Sequence, residues 1–108
     1  MNSKDEKKFQ GKRIQKLIRD ISEAYANNMF DDFYYCPEYK GKNFTWEKFP
    51  VMVARIASVS SFMYFIDWDT YSDDLKKEIE KAVYEVTLTL AREKVKEEKD
   101  NVESNPQV

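Results

Sequence analysis

The stretch from Pro50 to Ile66 constrains the fold more than any other part of this chain. It reads PVMVARIASVSSFMYFI, and Arg55 is its only charged residue. On a helical projection its apolar side chains go all the way round, and a helix that is apolar on every side is normally buried on every side. The stretch covers about 17 residues, short of the ~20 that a membrane-crossing helix needs. It therefore predicts a buried central helix, from about Trp46 to Ile66, and no membrane contact.

An amphipathic pattern precedes this stretch. Apolar residues recur there at helical spacing on one face, and they are Ile14, Leu17, Ile18, Ile21 and Tyr25. We expect a first helix that begins at Lys4 or Gly11 and ends near Asn27. An aromatic connection follows from Asn28 to Phe44, too long to be without structure in a compact domain. We expect it to contain a short helix that ends before Pro37, because proline cannot continue a helix.

A second amphipathic pattern follows the central stretch. Its apolar stripe consists of Tyr71, Leu75, Ile79, Ala82, Val83, Val86 and Leu90. The stripe predicts a third helix that begins at Tyr71 or Asp73, with Thr70 or Ser72 as its N-cap, and that ends near Glu98. Together the patterns predict an all-α fold, with three main helices plus a short helix in the aromatic connection, packed as a helical bundle.

Length and composition fit one small domain. A chain of 108 residues can bury roughly two-thirds of its unfolded surface, which is enough for a core without metal or disulfide support. We expect a single helical domain over residues 1–98 and a polar, disordered tail over residues 99–108. The charged start is unlike a secretory signal, and the single cysteine, Cys36, cannot form an intramolecular disulfide. We therefore expect an intracellular, cytoplasmic protein.

The residue content argues against catalysis and against a metal site. The chain has no histidine, which removes the commonest general base and the commonest metal ligand. Cys36 consequently has no histidine to activate it as a nucleophile. We expect no enzymatic activity, no cofactor and no bound metal.

An acidic run from Asp67 to Asp74 requires a separate interpretation. Four carboxylates have the spacing of a calcium-binding loop, and they are Asp67, Asp69, Asp73 and Glu78. Ser72, however, stands where such a loop needs a glycine. A helix start explains the run without an ion, because Asp73 and Asp74 in a first turn favour the positive end of the helix dipole. This interpretation leaves the first two aspartates without a structural role, facing solvent or a basic partner.

The aromatic connection is the first candidate for binding a partner. Its aromatic side chains alternate with Lys40, Lys42 and Lys48. Such a cluster can close the end of a helical bundle, anchor a protein interface or stack on nucleic-acid bases, and the sequence leaves these alternatives open. The residues predicted to bind a protein partner are Tyr34, Tyr35, Tyr39, Trp46 and Trp68.

A homodimer is the second expectation. Two neighbouring helices cannot cover an all-apolar central helix. The aromatic connection could supply the missing cover within one chain, and a symmetric partner would supply it equally well. The predicted interface combines small residues of the central helix with an outer apolar line of the third helix, namely Ala54, Ala57, Ser58, Ser61, Tyr84, Leu88, Ala91 and Val95. Whether the outer line packs within one chain or between two chains stays open.

These features together predict a small, non-catalytic helical protein that acts through protein–protein interaction or self-assembly. Accessory and adaptor proteins, including phage- and virus-encoded ones, commonly take this form. The alternative is a dimeric nucleic-acid-binding protein that uses a basic stripe on the first helix, formed by Lys8, Lys12, Lys16 and Arg19. The net charge of −2 gives no general attraction to nucleic acid.

Overall fold

The computed structural model describes residues 1–104, with side chains as far as Lys99. Every element in this range is helical, which confirms the all-α prediction. The α-helices are α1 (Ser3–Gln10), α2 (Lys12–Tyr35), α3 (Phe49–Ser60) and α4 (Asp73–Ser104). Short 3₁₀ turns lie at Pro37–Tyr39, Ser61–Tyr64 and Trp68–Thr70. The three main helices of the prediction correspond to α2, α3 and α4.

The predicted first helix is two helices. Gly11 has extended backbone (φ −64°, ψ 151°) and separates α1 from α2, so both predicted starting points are close to real helix starts. Asn2 caps α1, since its side-chain oxygen accepts a hydrogen bond from the Asp5 N–H at 2.8 Å. The end predicted near Asn27 is wrong: α2 continues to Tyr35 because no glycine or proline interrupts it. The short helix before Pro37 is therefore the last part of α2.

The other helix ends depend on local hydrogen bonds. The Lys48 N–H donates to Thr45 Oγ1 at 3.2 Å in the turn that leads into α3. Ser72 caps α4: its Oγ accepts from the Leu75 N–H at 3.1 Å and donates to the Asp5 carboxylate at 2.6 Å. Beyond Glu98, α4 extends to Ser104. The remainder of the predicted tail, residues 105–108, lies outside the described residues.

The helices enclose two clusters of buried side chains. The first lies between α2, α4 and the corner that joins α3 to α4, and contains Ile14, Ile18, Ile21, Ala57, Phe65, Tyr71, Leu75, Ile79 and Val83. The second lies where the end of α2 meets the start of α3, and contains Ala26, Phe30, Phe49, Val53 and Ala91. The apolar stripes predicted for the first and third helices supply seven of the nine side chains of the first cluster, so those stripes do face the core.

The central helix is not buried on every side, contrary to the expectation from its composition. Its inner side is buried, with Val53, Ala54 and Ala57 fully enclosed. Its outer side is exposed and carries some of the largest apolar side chains in the chain. The exposed fractions are 37% for Ile56, 66% for Val59, 52% for Phe62, 61% for Met63 and 99% for Ile66. Within residues 1–99 no side chain covers this outer side.

The structure also revises the predicted dimer interface, because most of its residues on the central helix are buried inside the chain. Ala54, Ala57 and Ser61 are buried within the single chain, and Ser58 donates a hydrogen bond to the Glu80 carbonyl of α4 at 2.9 Å. These small residues therefore allow α3 to approach α4 of the same chain, and the three buried ones leave no surface for a second chain.

Two residues of the outer line of α4 also face the chain's own interior. Ala91 is buried, and Val95 packs against the second cluster. Tyr84 and Leu88 are half-buried. For Ala91 and Val95, packing is therefore intramolecular, which was one of the two alternatives that the sequence left open.

Candidate interaction surfaces

The outer face of α3 is the main exposed apolar surface among the described residues. We use this name for the side formed by Met52, Ile56, Val59, Phe62, Met63 and Ile66. Met52, Ile56 and Val59 fall at helical spacing on α3, opposite the enclosed side, although Met52 also packs against the second cluster. Phe62 and Met63 lie on the 3₁₀ turn that follows, and Ile66 lies in the next turn, after Phe65. The only charge in the stretch from Val51 to Ile66 is Arg55. Large exposed apolar patches of this kind typically mark sites of protein or membrane contact.

A shallow groove continues this face toward the start of α3. It has a volume of about 560 Å³ and is lined by Glu47, Lys48, Val51, Met52, Arg55 and Ile56. Two of these side chains are basic and one is acidic, so the rim of the face is charged while its centre is apolar. An apolar centre with a polar rim is the usual anatomy of a protein-binding surface.

The aromatic connection closes one end of the core. The rings of Phe30 and Trp46 lie 5.1 Å apart between centroids, and those of Phe33 and Phe44 lie equally close. Phe49 is fully buried beneath them. Lys40 and Lys94 lie over the Trp46 and Phe30 rings at 5.0 Å and 5.3 Å, within cation–π range. Closing the core is thus the role of most of this cluster, and Trp46 is only partly available to a partner.

Three tyrosines at this end remain exposed. Tyr35 and Tyr39 are 73% and 60% exposed, and Tyr34 is less so. A hydrogen bond with the Glu98 carboxylate raises the pKa of Tyr34 above its usual value. Tyr34 also lines a hollow of about 270 Å³ with Phe30, Trp46, Val95, Glu98 and Lys99. Of the predicted protein-binding residues, Tyr34 and Tyr35 lie side by side, with ring centroids 4.9 Å apart, and form a second exposed surface. Tyr39 instead lines a hollow of about 420 Å³ together with Lys48 and Met52.

Trp68, the remaining predicted binding residue, packs at the opposite end of the core. Its ring lies 5.7 Å from that of Phe65 and 5.8 Å from that of Tyr71. This contact agrees with packing of the indole on the end of the helical core, and it leaves the side chain half-buried.

Asp67, next to it, has a structural role that the sequence pattern did not reveal. Its Oδ1 accepts hydrogen bonds from the Arg13 guanidinium and from the Tyr71 hydroxyl, both at 2.7 Å. The hydrogen bond from Arg13, and then that from Tyr71, lower the pKa of Asp67 to about 2. The acidic corner is thereby tied to α2. Within the described part of the chain, no cluster of three or more metal-ligating side chains is found there or elsewhere.

The basic stripe is divided by the helix break and by carboxylates. Lys8 lies on α1 with its Nζ 4.5 Å from the centre of the Tyr71 ring, while the other three residues lie on α2. Lys16 pairs with Asp20, and Arg19 pairs with Glu23, each one turn further along the helix. Two of the four predicted phosphate-binding cations therefore already have an acidic partner, which weakens a DNA-backbone footprint.

Cys36 is half-buried at the end of α2. No described helix combines the length and apolarity that a membrane span requires.

No protein-family model matches the chain, and comparison with curated proteins and with solved structures gives no match either. The function therefore has to be inferred from the chemistry of the chain's own surfaces.

The outer face of α3 is the candidate surface that sequence reasoning missed. The signal was present in the distribution of residue sizes around the helix. Ala54, Ala57 and Ser61 lie on one side, where close packing needs small residues, and the bulky Ile56 and Val59 lie on the other. Hydrophobicity alone made the two sides look equivalent.

Proposed function

We propose that this chain is a small, non-catalytic helical protein that acts by binding protein surfaces, its own or those of a partner. The outer face of α3 is the observation that carries the proposal. Keeping large apolar side chains such as Phe62 and Ile66 in water is unfavourable, and Val59 and Met63 extend the same face. Burial of a Val, Ile, Phe or Met side chain contributes about 1.5–3 kcal/mol, so a matching surface would gain substantially by covering them.

The exposed tyrosines are a second surface for the same function. Tyrosine supplies a large contact area and a hydroxyl at low entropic cost, and it is enriched at interface centres. Tyr35 and Tyr39 are the most available of these side chains. They would enlarge a binding surface or hold a different partner from the one on α3.

An affinity capture from the native source tests this proposal. The wild-type chain, a Phe62→Ser/Met63→Ser double variant and a Tyr35→Ser/Tyr39→Ser double variant serve as baits. We expect the wild type to retain a specific protein, or an untagged copy of itself. The Phe62→Ser/Met63→Ser variant should lose it. Circular dichroism checks that each bait is folded. Identical captures by all three baits would contradict binding through either surface.

The alternative function is nucleic-acid binding through basic residues of α1 and α2. Lys8 and Lys12 are exposed on adjoining helices and support it, whereas the ion pairs of Lys16 and Arg19 do not. A gel-shift series at increasing salt concentration tests nucleic-acid binding, because affinity that comes from phosphate contacts falls steeply with salt. Absence of binding at low salt, or binding unchanged in a Lys8→Gln/Lys12→Gln variant, would remove this alternative.

A further inference from the structure

The size of the outer face of α3 limits what can cover it. By side-chain size and exposed fraction, Ile56, Val59, Phe62, Met63 and Ile66 together present about 600 Å² of apolar surface, which matches the largest patches on typical monomers. The same area is most of the ~800 Å² that each partner gives to a standard interface. Within residues 1–99, α2 and α4 pack on the opposite side of α3, so no element of the described chain supplies the cover.

We propose that a second copy of this chain covers the outer face of α3, in an antiparallel dimer with two-fold symmetry about Val59. The inference rests on the proposed function, because it names the occupant of the same surface. Arg55 is the only charged residue between Val51 and Ile66. A face with so few charges carries little to select a foreign partner, but it matches a copy of itself, since an isologous contact buries the same apolar residues twice.

Arg55 determines the orientation of the two copies. In a parallel pair it would face the partner's Arg55, and like charges in contact are unfavourable. In an antiparallel pair centred on Val59 it lies opposite the partner's Met63 and beside the partner's Phe62. A guanidinium over an aromatic ring is favourable, so the antiparallel arrangement removes a repulsion and adds an attraction.

The charges beyond the two ends of the face agree with this orientation. Lys48 lines the groove and precedes Met52, the first apolar residue of the face, in the sequence. Asp69 is exposed and follows Ile66, the last one. In the proposed antiparallel pair, the end of the face that follows Lys48 meets the partner's end that precedes Asp69. The interface then has an apolar centre and an oppositely charged rim, which favours one register over others.

Light scattering on a sizing column measures the mass of the assembly. We expect about twice the chain mass of 12.9 kDa for the wild type, and a monomer for Val59→Asp at the same concentration. The substitution should raise the dissociation constant of the dimer at least ~100-fold, because it places two unpaired carboxylates at the symmetry axis. Thr89→Asp is the matched control: it adds the same charge at an exposed position on α4, outside this face, and should leave the dimer intact.

Cysteine cross-linking tests the orientation independently of stability. In a Cys36→Ser background, V59C should form a disulfide-linked dimer on mild oxidation. M52C and I66C should each stay largely monomeric alone, yet cross-link to each other when mixed. A parallel pair would give the reverse pattern, with self-linking of M52C and of I66C, and would overturn the proposed orientation.

The failures of the dimer and of the proposed function can be told apart. A wild-type protein that stays monomeric across micromolar concentrations, or a dimer unaffected by Val59→Asp, overturns the inference. If that monomer still captures a different protein through Phe62 and Met63, the dimer is wrong and the proposed function stands. A monomer that instead binds lipid vesicles through these residues, or that captures no protein through them or through Tyr35 and Tyr39, overturns both.

Discussion

At the scale of single residues, a carboxylate's role depends on what lies across from it in space. Asp67 looked like a free acidic side chain, yet it accepts hydrogen bonds from Arg13 and Tyr71. Arg13 lies far away in the sequence, at the start of α2. Asp69, on the same turn, is exposed. The two aspartates are indistinguishable by sequence pattern, and only one of them holds the corner to α2.

Asp67→Asn should destabilise the protein in a pH-dependent way. The folded-state pKa of about 2 lies below the usual value near 3.9, so the ionised carboxylate contributes stability above about pH 4. That contribution is lost as the pH falls from about 4 toward 2. We expect a cost of about 1 kcal/mol at pH 7, kept small because both Arg13 and Asp67 contact solvent. Urea unfolding at pH 7 and pH 3 measures it. Asp69→Asn is the control, and an equal effect there would contradict this role.

Thr87 presents the opposite case, a polar group without a partner. Its side chain is fully buried on α4, and Oγ1 has no hydrogen-bond partner among the described residues. Burying an unpaired hydroxyl costs free energy, and valine has nearly the same shape. Thr87→Val should therefore raise the free energy of unfolding by about 1 kcal/mol.

Calorimetry on Thr87→Val and on a matched variant checks this expectation. Thr89→Val lies on the exposed side of the same helix, where the hydroxyl donates to the Glu85 carbonyl at 3.0 Å. It should change the melting temperature little. A loss of stability in Thr87→Val would mean that the hydroxyl is hydrogen-bonded in solution.

At the scale of elements, the two sides of α3 follow from residue size. Ala54 and Ala57 let α3 approach α4 closely, and Ser58 bonds to the α4 backbone. The bulkier Ile56 and Val59 remain outside because they would hold the two helices apart. Hydrophobicity made α3 a core helix, and side-chain volume decided which of its sides packs closely against α4, while the buried Val53 belongs to the second cluster.

Ala57→Leu should disrupt this packing. The added side-chain atoms have no free volume in the first cluster, and overpacking of a filled core costs typically 1–3 kcal/mol. We expect a loss of about 2 kcal/mol in the free energy of unfolding, measured by chemical denaturation. Val59→Leu adds one methylene on the exposed side and should change stability by less than about 0.5 kcal/mol. Equal effects of the two variants would contradict the assignment of the inner and outer sides.

Helix boundaries were predictable where a backbone signal marked them. Gly11, one of the two predicted starts of the first helix, divides α1 from α2, and Ser72, one of the two predicted N-caps, caps α4. The consecutive Asn27 and Asn28 suggested an end that does not exist, because Ala26 and Phe30 on either side are buried. Tertiary contacts of those two residues outweigh the weak helix propensity of asparagine.

At the scale of the whole molecule, stability is unevenly distributed. Helix α1 has no buried residue, while α2 and α4 supply most of the first cluster. The contacts that hold α1 are the partly buried Phe9, the hydrogen bond between Asp5 and Ser72, and Lys8 over the Tyr71 ring. Few buried contacts imply a low local opening free energy.

Hydrogen exchange should therefore separate α1 from the rest. We expect backbone amides of α1 to exchange at least ~10-fold faster than those of α4 between residues 75 and 91, since opening of α1 does not require loss of the core. Mass spectrometry of peptic fragments measures both in one sample. Equal protection of α1 and α4 would show that α1 is part of the cooperative core.

The sequence by itself determined that this is an all-α protein, where its apolar stripes lie, and that it lacks the histidine on which much catalysis and metal binding depend. Periodicity and composition are local properties, so they can be read along the chain. Only the tertiary structure decided that the outer face of α3 is exposed, that Ala54 and Ala57 meet α4, and that Asp67 binds Arg13. Those outcomes depend on which elements become neighbours and on the volume between them, and neither is a property of any one segment.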